Sequence, residues 1–139
     1  MSAPVFCHRH RVTYAECTVG DHVYYSRYLD MLEEARGEFY RSAGLSFLEL
    51  QQRDLIFPVV ECQIQYQAPA RYDDCLKIEV WLTEMGRVKL RFGHRILQED
   101  GTLAVEASTL HVCSSTREKL KRLPADIVHA LQPHLRTTL

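Results

Sequence analysis

One periodic stripe constrains this chain more than any other feature. Tyr25, Tyr28, Leu29, Leu32, Ala35, Phe39 and Ala43 recur at three- and four-residue intervals, the spacing that stacks side chains on one face of an α-helix. A helix with a single apolar face must lay that face against something. Its opposite face carries Arg27, Asp30, Glu34, Glu38 and Arg41, which implies solvent or partners across an interface. Gly44 follows where the left-handed residue that ends a helix belongs.

The cover for that face comes later in the chain. Val60, Cys62, Ile64 and Tyr66 alternate with polar residues, and so do Leu76, Ile78, Val80 and Leu82, then Val88, Leu90, Phe92, His94 and Ile96. Each run reads as a half-buried strand. Glu99-Asp100-Gly101 is a hairpin turn signal, and a last strand is expected from Leu103 to about Cys113. A first strand is expected over Phe6 to Tyr14, and Leu45 to Phe57 reads as a weak helical or irregular connection. Pro124 to Leu135 has a helical pattern, with Ile127, Leu131 and Leu135 on one face. Consecutive strands with short turns form an antiparallel sheet, so the expected class is α+β, one sheet wrapped around one long central helix, with a C-terminal helix.

The 139 residues suit a single domain spanning 1–139. With 17 basic and 18 acidic side chains the net charge is -1, which gives no bulk attraction to nucleic acid or membrane. No segment reaches the roughly 18 apolar residues of a membrane span, and the N-terminus lacks a signal-peptide run. The five cysteines are odd in number, scattered and without CxxC spacing, so free thiols and a cytoplasmic location are expected. His8, His10, His94 and His111 lie in strands at no zinc-like spacing, so no metal is expected. Asp73 and Asp74 read as turn chemistry, and Cys17 as an inert thiol.

The turn before the helix holds the candidate chemistry. Gly20-Asp21-His22 leads straight into the helix start, where backbone amides and the helix dipole favour a developing negative charge. The amides around His22 to Tyr24, those of Val23 and Tyr24, are the candidate oxyanion donors. His22 is a base candidate because histidine titrates near neutrality; Glu33 ranks with it, and Asp21 comes next. Asp21 reads equally as a helix cap, Glu33 equally as a structural hydrogen-bond acceptor, and Glu16 as a surface group at a strand end.

Three segments, GDHVYYSRYL at Gly20 to Leu29, EEAR at Glu33 to Arg36 and APARYDDCLKIEV at Ala68 to Val80, resemble in order and spacing the hotdog-fold acyl-CoA thioesterases of the 4-hydroxybenzoyl-CoA thioesterase type. The resemblance implies a hotdog fold, hydrolysis of a small acyl-CoA or acyl-carrier-protein thioester with no cofactor, and a homodimer or homotetramer with active sites between subunits. It also implies that Arg87 and Lys89 lie near the CoA phosphates; a solvated strand face is the other reading. The chain departs from the family at one position. Thr18 stands where such proteins carry a catalytic Asp, and a hydroxyl can orient water but is no base near neutral pH. A protein that binds acyl thioesters without cleaving them is therefore the alternative.

Overall fold

The structure is a computed structural model describing residues 4–136. Strand β1 (Phe6–Arg11) precedes two short 3-10 turns, Tyr14–Glu16 and Val19–Asp21, and helix α1 (Arg27–Ser42). Helix α2 (Phe47–Gln52) leads into β2 (Val59–Tyr66), β3 (Cys75–Met85), β4 (Lys89–Leu97) and β5 (Leu103–Val112), and α3 (Ala125–Leu131) follows. The strands form one five-stranded sheet in the order β1-β3-β4-β5-β2, antiparallel at every pairing. This is the expected α+β class.

Alternation decides which face of the sheet meets α1. Leu76, Ile78, Val80 and Leu82 of β3, with Leu90, Phe92 and Ile96 of β4, are fully buried. Phe39 of α1 packs edge-on against Phe6 of β1 and Phe92 of β4, with centroids 5.8 and 5.5 Å apart. Leu32, Ala35 and Phe39 are at 0 % exposure, so this apolar stripe supplies the centre of the core.

Several expectations are corrected. α1 has 16 residues and begins at Arg27 rather than Tyr25, which makes it shorter than the expected long helix. Tyr25 and Leu29 are exposed, while Met31, Arg36 and Tyr40 are buried, so the buried face is rotated from the stripe read in the sequence. β1 ends at Arg11, short of the expected Tyr14, and beyond it the Val12 amide donates to the Asp74 carbonyl at 2.9 Å. β2 was expected to be half-buried, yet within one chain only Ile64 is partly covered. Gly44 ends α1 at φ 83°, as expected, and the weak helical connection contains α2, which Ser46 caps by accepting the Glu49 amide at 3.1 Å. No helix among the described residues is long and apolar enough to cross a membrane.

Candidate active site

Hydrogen bonding folds the turn before α1 back on itself. Thr18 N–H donates to the His22 carbonyl at 2.7 Å and Asp21 N–H to the Thr18 carbonyl at 3.1 Å. Gly20 and Asp21 both take left-handed backbone, at φ 77° and 60°, which Gly adopts freely and Asp tolerates. The loop is then pinned to the segment before β3. Val23 N–H donates to Ala70 and Tyr72 N–H to Asp21, each at 2.9 Å.

These bonds correct the oxyanion expectation. The Val23 amide is used by Ala70 and the Tyr24 amide by the Glu16 carbonyl at 2.8 Å, so neither can meet a substrate. The amides of Tyr25 and Ser26, the next two, donate to no acceptor among the described residues. Ser26 is the N-cap of α1, so these amides stand where a helix start leaves donors open. Asp21 therefore does not cap the helix. A cleft of about 290 Å³ adjoins Tyr25 and is lined also by His22, Tyr28, Tyr66 and Pro69 among others. The Tyr28 hydroxyl accepts the Ala70 amide at 3.1 Å, and burial raises its pKa, so the phenol stays neutral. Thr18 is exposed at the rim of the turn.

Glu33 lies elsewhere. It is exposed, roughly 9 Å along α1 from Arg27 at 1.5 Å per residue, and it borders a second cleft of about 270 Å³ between α1, α2 and the start of β2. Arg36, Tyr40, Phe47, Phe57 and His111 line that cleft with aliphatic neighbours. One chain thus does not bring Glu33 to His22. Behind the cleft, Arg36 donates from Nη1 to His94 Nε2 at 3.2 Å. Burial, reinforced by the Arg36 charge, pulls the His94 pKa down to about 3. His111 donates from Nδ1 to the Phe57 carbonyl at 2.9 Å and accepts the Thr109 hydroxyl at 2.8 Å. Burial lowers it to about 4, and both imidazoles are neutral.

The chain matches the Thioesterase-like superfamily over residues 12–131. It is 36% identical over 119 residues to an acyl-CoA thioester hydrolase, YbgC, of Escherichia coli, covering 85% of this chain and 89% of that one. A 1,4-dihydroxy-2-naphthoyl-CoA hydrolase of Synechococcus elongatus is 30% identical over 101 residues, 70% of this chain and 74% of that one. The crystal structure of a hypothetical protein, TT1821, from Thermus thermophilus superposes with a TM-score of 0.87 at 35% identity, covering 92% of this chain and 98% of that one. The chain belongs to the thioesterase-like superfamily.

Around this thioesterase-like turn sits a network that the sequence reading missed. Glu16, taken for a surface group, accepts the Thr13 amide at 2.7 Å and its hydroxyl at 3.0 Å. His10 spans two carboxylates, with Nε2 on Glu16 and Nδ1 on Glu34, both at 2.9 Å, and His8 Nε2 also meets Glu34 at 2.9 Å. Burial opposes the His10 charge, but these hydrogen bonds raise its pKa. The same bonds, with those from Thr13, hold Glu16 and Glu34 below the usual carboxylate range against their own burial. A doubly donating imidazolium therefore ties β1 to α1 and to the turn. Alternation put His8 and His10 on one strand face, but their partners lie up to 26 residues away and carry no local signature. Arg87 and Lys89 are exposed in the β3–β4 hairpin, border neither cleft and pair with no carboxylate among the described residues.

Proposed function

We propose that this chain is an acyl-CoA thioesterase acting as a homodimer, with each active site shared between two chains. The observation that carries the reading is the pair of open amides, Tyr25 and Ser26, at the start of α1, the first of them on a residue that lines a cleft with His22. Donors fixed before the substrate arrives polarise the thioester carbonyl and stabilise its oxyanion. Water then adds to the carbonyl carbon and loses a proton to a base. The carbon–sulfur bond breaks, and CoA leaves as a thiol after protonation. The identities to named acyl-CoA hydrolases support the same chemistry.

Two groups compete for the base. His22 shares its cleft with Tyr25, whereas Glu33 borders the other cleft of its own chain. Pairing of two chains about a two-fold axis through their β2 edges would set the Glu33 of one α1 towards the turn of the other. Thr18 orients water at the rim rather than taking its proton, and Asp21 serves the turn through its carbonyl. Arg87 and Lys89, cations without carboxylate partners among the described residues, would take the CoA phosphates.

The test is free-thiol release from a panel of acyl-CoAs. His22→Ala or Glu33→Ala should lower kcat by roughly 100-fold or more, whichever residue is the base. Absence of turnover on every acyl-CoA would overturn the reading.

A further inference from the structure

The Arg36 cleft holds a charge that no carboxylate among the described residues pairs with directly; exposed Glu33 at the mouth acts on it only through space. Arg36 is 7 % exposed and among the described residues hydrogen-bonds only to the neutral His94. No carboxylate among the described residues lies within ion-pair distance of it. A guanidinium presents five N–H donors in a planar fork, so most of this fork has no protein acceptor. Burying a cation without its anion is expensive. Beside it the Tyr40 hydroxyl is buried at 2 % exposure and has no hydrogen-bond partner among the described residues. Buried hydroxyls nearly always find one. Both residues line the same cleft.

The remaining walls are mostly apolar. Phe57 stacks on Tyr40 with centroids 5.8 Å apart, Phe47 tilts against it at 5.3 Å, and aliphatic side chains from Leu50 to Val59 fill out the lining around one further polar group, Gln51. His111 is spent on Phe57 and Thr109, so it offers no donor. A cleft of about 270 Å³ is at the small end for organic ligands. It has room for a short acyl chain. Glu33 sits at the mouth and is exposed, where solvent screens its repulsion of an incoming anion.

We infer that this cleft receives the acyl group, and that Arg36 and Tyr40 select a short acyl chain ending in a carboxylate, the monothioester of a small dicarboxylic acid. The carboxylate accepts two parallel N–H bonds from the Arg36 fork and the Tyr40 O–H, while its methylenes lie against Phe47 and Phe57. The thioester end then points out past Glu33. This inference rests on the thioesterase reading for its substrate but on the Arg36 cleft for its selectivity, and the two can fail separately.

The experiment compares matched pairs, succinyl-CoA against butyryl-CoA and glutaryl-CoA against valeryl-CoA, by kcat/KM, with direct calorimetric titration of monomethyl glutarate and of methyl valerate. The carboxylate member of each pair should be preferred by at least roughly 10-fold, because a neutral methyl leaves the buried donors unpaired. Tyr40→Phe, which keeps the ring, should reduce that preference several-fold, and Arg36→Gln should abolish it. A folded Tyr40→Phe or Arg36→Gln enzyme with the preference of the native protein would overturn the inference and leave the thioesterase reading standing. So would turnover of the neutral esters with no carboxylate preference. If no thioester is hydrolysed, monomethyl glutarate bound more tightly than methyl valerate, and more weakly after Tyr40→Phe, would still support the cleft. Equal or absent binding would overturn it.

Discussion

His94 and His111 show how single residues set the pH range of the fold. Both are buried and neutral, held down to about 3 and about 4, so the unfolded chain binds protons near pH 6.5 that the native chain refuses. Their contribution is present above the unfolded pKa and is lost as pH falls towards the folded values. His10 has the opposite sign. Its pKa is raised, so its contribution is complete below the unfolded value and fades as pH rises through the folded one. Between pH 6.5 and 5, therefore, His94 and His111 give a slope, together about 1–2 kcal/mol per pH unit, and His134, whose pKa burial also lowers, adds to it with the same sign. Urea denaturation across that range should show stability falling with acid, and His111→Gln should reduce the slope by roughly a third to a half. An unchanged slope would mean that His111 is protonated in the native protein.

Among the elements, β3 and β4 pack most tightly where Gly93 faces Trp81. A Cβ built on Gly93 would lie 2.4 Å from the Trp81 ring, closer than any side chain tolerates, and that ring is also held under Arg95 at 5.5 Å. Gly93→Ala should cost about 1–3 kcal/mol through forced repacking, and the emission of Trp81, the single tryptophan, should shift with it. Phe39→Ala, deleting the ring between Phe6 and Phe92, should cost more, about 3–5 kcal/mol. These elements were legible because alternation in β3 and β4 and the three-four spacing in α1 report local geometry directly. The turn was legible as a place but not as a set of donors. Whether Val23 or Tyr24 keeps a free amide depends on Ala70 and Glu16, and no local spacing encodes those partners. His10 with Glu34, and Arg36 with His94, were missed for the same reason, each pair being 24 or more residues apart.

For the whole molecule, β2 is the element that one chain does not complete. Its sequence alternates as a half-buried strand does, yet only Ile64 is partly covered, with Val59, Val60 and Tyr66 at 45 to 55 % exposure. One edge of β2 pairs with β5 and the other is open. An open edge with apolar residues is a template for another strand, so the pattern in the sequence anticipates a cover that a second copy would supply. Val60 sits at a break in the β2–β5 register, so a charge placed there spares the ladder within one chain. The native protein should sediment at about twice its 16.2 kDa chain mass, whereas Val60→Asp should sediment as a single chain of near-native stability. If Glu33 of one chain serves the turn of the other, separation of the chains also removes turnover, and kcat should fall by roughly 100-fold or more, as for loss of a base. A Val60→Asp monomer with native kcat would place the whole reaction within one chain and make His22 its base.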